Sequence, residues 1–305
     1  MSGNDVRLDG RAILVTGAGR GIGKAQALLL AARGAMVVVA DNGSAMDGEN
    51  ESAGPADAVV SEIREAGGKA VACTADLSTK PGAERAISAV LDTFGRIDGI
   101  VHYASSCPDL EGPADLVDHD IDLVLAVNPF AAMWMARAAW PHMVSAGFGR
   151  IVLTPSAALY GALGNTPYAA AKAALIGVIR CLALEGAEHG IAVNGVMPSA
   201  LSRMTETHLP PDYLEWFGKK MAPEKVANGA AWLVSEECSV NGEIFAVGGG
   251  RIARVVLAEA EGVVDTADTV EQARDAMGAV MADKSFFYPG SLDVRTAKVM
   301  PLLGD

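Results

Sequence analysis

Short apolar runs alternate along the chain with longer stretches of helical spacing. Seven runs read as strands: AILVT (12–16), MVVVA (36–40), AVAC (70–73), GIVHY (99–103), RIVLT (150–154), IAVNGV (191–196) and EIFAV (243–247). Between them lie Ala-rich segments at 22–33, 55–66, 81–94, 130–145, 167–188 and 223–236, where apolar residues return at the period of a helix. The strand runs are apolar throughout rather than alternating, which predicts burial on both faces of a sheet. Strand alternating with helix predicts right-handed βαβ crossovers. The expected fold class is therefore α/β: a Rossmann-type, doubly wound parallel sheet of about seven strands with helices on both faces. No repeat or linker interrupts the pattern, so residues 1–250 are expected to form a single domain. Residues 251–305, from RIARVVLAEA onward, are expected to be a C-terminal extension packed on it.

Composition narrows the picture. The 305 residues are 50% hydrophobic, ample for a core of this size. With 37 Asp and Glu against 24 Lys and Arg, the net charge is −13, which argues against a nucleic-acid or anionic-membrane surface. A phosphate would have to be held by local geometry. The four cysteines lie far apart with no C-x-x-C pair, as expected for reduced thiols in a cytoplasmic protein. The N-terminus, MSGNDVRLDGR, lacks the apolar core of a signal peptide, and no apolar run reaches the roughly 18 residues of a membrane span. The five histidines show no H-E-x-x-H or Cys/His ligand spacing, so no metal site is expected.

TGAGRGIG (16–23) follows the first strand and opens the first helix. In that context Gly17 allows a tight turn, Gly21 lets backbone approach a pyrophosphate, and Gly23 permits close packing of the helix. The helix N-terminus adds N–H groups and a positive dipole end, so a dinucleotide is the expected ligand. Asp41, eighteen residues past Gly23, ends the second strand, where a carboxylate accepts hydrogen bonds from ribose hydroxyls and repels a 2′-phosphate. That favours NAD over NADP, although Arg20 in the loop is a residue type that assists NADP. Asp41 also has a simpler reading, as the cap of a turn with Asn42 and Gly43.

YAAAK places Tyr168 and Lys172 four residues apart, on one helix face. An adjacent ammonium favours a phenolate, so such a tyrosine is a candidate acid/base for an alcohol. The preceding strand ends at Ser156, in TPSAA, which lacks the glycine elbow of a serine hydrolase. Asn128, in AVNPFAA, is expected to begin another long helix beside this one.

Taken together, TGAGRGIG, Asp76 in TADLS, Asn128, Ser156, YAAAK and IAVNGVMPS resemble the short-chain dehydrogenase/reductase family over about residues 7–250. The resemblance implies an NAD(P)-dependent oxidoreductase that interconverts a secondary alcohol and a ketone. It implies that Tyr168 is the acid/base, that Lys172 binds the nicotinamide ribose and lowers the Tyr168 pKa, that Ser156 orients the substrate oxygen, and that Asn128 positions a relay water. It further implies cofactor contacts from Gly17, Arg20, Gly21, Ile22, Gly23, Asp41, Asp76, Leu77, Ala104 and Pro198, and a homodimer or homotetramer paired partly through the Tyr168 helix. The insertion after the second strand, AAWPHM and GGGRIARV look like the (3R)-hydroxyacyl-CoA dehydrogenase domains of multifunctional enzymes. An apolar hydroxy or keto substrate, acyl-CoA or steroid-like, follows from that likeness. Residues 199–221 are the expected substrate lid, carrying Leu201, Met204, Leu209, Tyr213, Trp216 and Phe217.

Three features depart from the family pattern. His102-Tyr103-Ala104-Ser105 stands where Asn-Asn-Ala-Gly is usual, and it is expected to form a floor under the cofactor rather than part of the machinery. Ser156 stands twelve residues before Tyr168, one fewer than usual. Pro129 biases Asn128 away from the helical region. The first of these motivates the alternative of a catalytically weak nucleotide-binding or partner-binding relative.

Overall fold

The computed structural model describes residues 5–45, 52–107, 112–202, 210–264 and 267–303. Six of its strands run parallel to their neighbours through a common centre: β1 (Ala12–Thr16), β2 (Met36–Ala40), β3 (Lys69–Cys73), β4 (Gly99–His102), β5 (Gly149–Leu153) and β6 (Ile191–Ser199). β7 (Ile244–Gly248) pairs parallel with β6, and the sheet order is β3-β2-β1-β4-β5-β6-β7-β8. The sheet thus has eight strands rather than about seven. The added one, β8 (Arg251–Val255), comes from the RIARV run assigned to the tail on sequence. Only Gly249 and Gly250 join it to β7, with φ of 60° and 88°, the left-handed pair that a tight hairpin turn requires. A two-residue link permits only an antiparallel neighbour, so β8 closes the sheet edge by doubling back.

Helices α1 (Gly21–Ala32) and α2 (Gly54–Glu65) pack with helix Pro223–Leu233 on one side of the sheet. On the other lie α3 (Lys80–Phe94), α5 (Ala131–Ala146) and α6 (Thr166–Gly186), with α4 (Asp118–Leu125) against α6. Every residue of β1 is buried, as continuous apolar runs between two helical layers must be. Ile13, Val15, Val37 and Val39 meet Ala27, Leu30, Val226 and Ala230 in one apolar cluster. The helical runs 118–146 and 166–189 have the length and composition of membrane spans, yet here they form a layer of this sandwich. The entry ends of β1 and β4 are pinned by Asp98, 2% exposed, which accepts from Ala12 N (2.8 Å), Arg11 (2.8 Å) and Arg96 (2.6 Å).

Asn128 does not begin a helix. It lies inside the run 118–146, in a π-helical turn at Ala126–Phe130 that joins α4 to α5. Pro129 has no N–H and its ring crowds the preceding turn, and the wider turn relieves both effects.

The compact unit extends to Arg254, past residue 250, because β8 belongs to the sheet. Residues 255–305 form a second unit. Within it Glu259–Ala260 pairs antiparallel with Phe286–Phe287, flanked by helices Val270–Ala282 and Leu292–Val299. The Arg295 guanidinium clamps Glu259 with two bonds of 2.6 Å.

Candidate active site

β1 and β4 are neighbours in space although β2, β3 and three helices separate them in sequence, so the strand order reverses between them. In open α/β sheets the crevice beyond the strand ends at such a point holds the ligand. Two adjoining cavities open there. One, of about 260 Å³, is lined by Ala40, Asp41, Asp76, Leu77, His119 and Val127 among others. The second, of about 350 Å³, is lined by Arg20, Ile22, Ser156, Tyr168, Lys172, Pro198 and Phe217 among others. Gly17, Asp41, Ala104 and Ser105 border both, making one groove across the top of the sheet. Gly21 and Gly23 line its second half.

The groove fits a dinucleotide by its own geometry. A Cβ on Gly17 would lie 2.7 Å from Ala104 N, and one on Gly23 would lie 2.1 Å from the Gly17 carbonyl oxygen. The loop therefore packs backbone against backbone. Arg20 caps α1 without a side-chain bond and the first turn carries no acid, which leaves the helix N-terminus open to an anion. Asp41 accepts from Gly19 N (2.8 Å) through Oδ2 and from Gly43 N (2.7 Å) through Oδ1. It makes the turn with Gly43 and also fastens the glycine loop, while its carboxylate still lines the groove. Asp76 accepts from the amide and the hydroxyl of Ser78, at 2.9 and 2.7 Å, and stands with Leu77 at the far end.

Tyr168, Lys172, Ser156 and Ser105 converge on the second cavity. The shortened spacing leaves Ser156 within hydrogen-bond reach of Tyr168, and its oxygen also caps the next turn through Ala158 N (3.2 Å). Lys172 Nζ lies 5.5 Å from the centre of the Tyr168 ring. Sequence reasoning expected that ammonium to lower the Tyr168 pKa, but in the free protein burial dominates. It pushes Tyr168 up to about 12, against the downward pull of hydrogen bonds from Ser156 and Ser105, while Cys107 adds to the rise. Burial likewise lowers Lys172, 3% exposed, to about 7. A lysine lowered to about 7 is only partly charged near neutral pH, so its support of the phenolate is partial in the free protein.

Asn128 is fully buried and lines neither cavity. Its Nδ2 donates to Val124 O at 2.8 Å, which turns Oδ1 toward the Ser105 hydroxyl, a donor at 2.9 Å. In this arrangement the side-chain amide of Asn128 is taken up by Val124 and Ser105.

The stretch 102–105 is more than a floor. His102 Nε2 meets the Val127 carbonyl at 3.0 Å, so Nε2 carries the proton and Nδ1 accepts from the Thr16 hydroxyl at 2.7 Å. Thr16 Oγ1 in turn accepts from Ala104 N at 3.1 Å. One imidazole thus ties β1, β4 and the π-helical turn together. Burial, with the Lys172 charge second, pushes His102 down to about 4, so it is neutral. Tyr103 points away from the chemistry, donating to Gln26 Oε1 at 3.1 Å, and burial raises its pKa. Sequence reasoning missed Thr16 and His119 as bracing or lining residues, whereas Phe217 lines the cavity from the expected lid. Thr16 had a legible signal, since it ends the first strand beside the glycine loop.

The lid is described in part. Met204 and Leu209 fall in 203–209, outside the described residues, as do 46–51 of the insertion after the second strand. Helix Pro211–Lys220 stacks Tyr213 on Trp216, with ring centres 5.5 Å apart, and points Phe217 into the cavity. Leu201 N bonds Met221 O at 2.8 Å and closes the base of the segment.

A groove for a dinucleotide with a Ser–Tyr–Lys set at one end defines a class, and the comparisons agree with it. The profile of the short chain dehydrogenase family matches residues 11–212, and the chain belongs to that family. It is an oxidoreductase of secondary alcohols and ketones. Within the family it stands near the multifunctional-enzyme subgroup. It is 44% identical over 249 residues to a short-chain type dehydrogenase/reductase of Mycobacterium tuberculosis, covering 81% of this chain and 85% of that one. It is 42% identical over 251 residues to peroxisomal multifunctional enzyme type 2 of Mus musculus, covering 82% of this chain but 33% of that longer one. A 7α-hydroxysteroid dehydrogenase, solved with NADH and 7-oxoglycochenodeoxycholic acid, superposes with a TM-score of 0.72 at 29% identity, covering 82% of this chain and 97% of that one.

Proposed function

We propose that the chain oxidises the 3-hydroxyl of an acyl-CoA thioester, with Tyr168 as the base and NAD as the partner nucleotide. The observation that carries this reading is the Tyr168 hydroxyl within hydrogen-bond reach of Ser156 and Ser105 in the second cavity of the groove, beside Lys172. NAD bound in the groove supplies the hydride acceptor. Ser156 donates to the substrate oxygen and Tyr168 takes its proton as the carbinol C–H bond breaks. Lys172 holds the nicotinamide ribose, and Pro198 and Ser199 border the same space. The contacts of Arg20, Ile22, Asp76, Leu77 and Ala104 run along the rest of the nucleotide. Phe217, with Pro198 and Ala200, gives the substrate end an apolar wall suited to an acyl chain or a steroid, and the Tyr213–Trp216 stack lies on the same helix as Phe217.

The preference for NAD over NADP rests on Asp41, whose charge lines the adenosine half where a 2′-phosphate would need room. Arg20 is turned toward the Gly43 carbonyl at 3.5 Å. Exposed Phe130, Met133 and Leu184, on the segments around α5 and α6, support a homodimer or homotetramer. Four free cysteines support a reducing compartment such as the cytoplasm.

The test is NADH formation from NAD with 3-hydroxyacyl-CoA thioesters of increasing chain length, and with a hydroxysteroid as a separate arm. The acyl-CoA series is expected to turn over. Tyr168→Phe is expected to lose about 10²–10⁴-fold in kcat while still binding NADH. Full turnover in Tyr168→Phe would sink the mechanism.

A further inference from the structure

Ser105 stands where the family pattern has glycine, and it does what no glycine can. Its hydroxyl donates to Asn128 Oδ1 at 2.9 Å, and it lines the same cavity as Tyr168, within hydrogen-bond reach of the phenol. The polarity of this chain is fixed from its far end. The Val124 carbonyl can only accept, so it takes the Asn128 amide N–H and leaves Oδ1 facing Ser105. The Ser105 proton therefore rests on Asn128, and a Ser105 lone pair faces the Tyr168 O–H. Ser105 borders both halves of the groove, whereas Asn128 borders neither. The serine is thus the link between a fully buried amide and the reacting phenol.

We propose that Ser105 is a positioning residue of the proton-transfer step: it holds the Tyr168 hydroxyl against Asn128 and turns its own proton to the Tyr168 oxygen when that oxygen is anionic. No bond to carbon changes in this motion. The Ser105 O–H rotates from one acceptor to another, from an amide oxygen to a phenolate, and a hydrogen bond to a charged oxygen is the stronger. The need for such a donor follows from the surroundings of Tyr168. Lys172 from the same helix presents its ammonium to the ring face, and Cys107 raises the phenol pKa. His102, which faces Lys172 from β4, is neutral. Ser105 and Ser156 are the two side chains whose hydrogen bonds favour the phenolate. The proposal rests on Tyr168 being the acid/base, and its test separates the two.

The measurement is the pH profile of kcat for oxidation of a 3-hydroxyacyl-CoA by NAD, in the full chain and in Ser105→Ala, Ser105→Gly, Ser105→Thr and Tyr168→Phe. Oxidation needs the phenolate, so rate is lost as pH falls through the Tyr168 pKa. Without the Ser105 donor that acid limb moves to higher pH by about one unit. The Ala and Gly variants are expected to share the shift, although one keeps the Cβ and the other removes it, and Thr is expected to restore the wild-type limb. An unmoved acid limb in both Ala and Gly, with a change in KM for NAD alone, overturns the proposal and makes Ser105 a packing residue. Retained turnover in Tyr168→Phe overturns the underlying acid/base assignment instead. NADH titration of each variant shows that the groove has folded, and Ala and Gly serve as independent checks if either one does not.

Discussion

The ends of β1 and β4 lie side by side, Thr16 in register with His102, and they build the same groove by opposite means. After β1 the chain works by leaving side chains out: Gly17 sits with φ 63° where a Cβ would strike the backbone of Ala104. After β4 it works by putting side chains in, with His102 bonded to Thr16 and Val127, and Ser105 bonded to Asn128. The difference separates two kinds of requirement. Space between two backbones admits no substitute, because every L-residue carries the same Cβ. A hydrogen-bonded tie admits several, because an imidazole can span strands much as an amide does.

The comparison is most open to being broken at Gly17. Gly17→Ala places its Cβ 2.7 Å from Ala104 N at a positive φ, so it is expected to cost about 2–3 kcal/mol in urea denaturation and to abolish saturable NADH binding. An alanine there that binds NADH normally would remove the distinction between the two strand ends.

A smaller effect is expected at His102. His102→Leu strands the Thr16 hydroxyl and the Val127 carbonyl, at about 1–3 kcal/mol, whereas His102→Asn keeps a donor and an acceptor and costs less. The histidine also gives a pH signature. Its folded pKa is depressed from 6.5 to about 4, so between those values the unfolded chain takes up a proton that the folded one refuses. Stability conferred by neutral His102 is therefore present above pH 6.5 and lost as pH falls toward about 4, by up to about 3 kcal/mol. Denaturation midpoints against pH, wild type minus His102→Asn, isolate this contribution. A flat difference would mean that the imidazole is not held as a neutral tie.

The smallest change concerns Asp41, which fastens the loop and sets nucleotide choice together. Asp41→Ser keeps a short acceptor and removes the charge, so the ratio of kcat/KM for NAD over NADP is expected to fall about tenfold. An unchanged ratio would move nucleotide selection from Asp41 to another residue.

The strands of the nucleotide half were legible because their runs are apolar from end to end: β1 and β2 fall where AILVT and MVVVA do. β8 was not, since RIARV carries two arginines among its five residues and the run of glycines before it read as an ending. α4 was missed because its eight residues, DHDIDLVL, are too few to show a helical period. Pro129 was legible as a bias on the backbone of Asn128, but the widened turn in which it lies was not. Tyr168, Lys172 and Ser156 were legible as a set through spacing and order. The work of His102 and Ser105 was not, because their partners Thr16, Val127 and Asn128 come from other segments, and distance along the chain conceals them.

The most direct measurement is a titration of the purified wild-type chain with NADH and NADPH, followed by nicotinamide fluorescence. A groove rebuilt at β4 but intact in space is expected to bind NADH saturably and more tightly than NADPH. A chain that binds neither dinucleotide would contradict the account and leave His102-Tyr103-Ala104-Ser105 as the mark of a lost site.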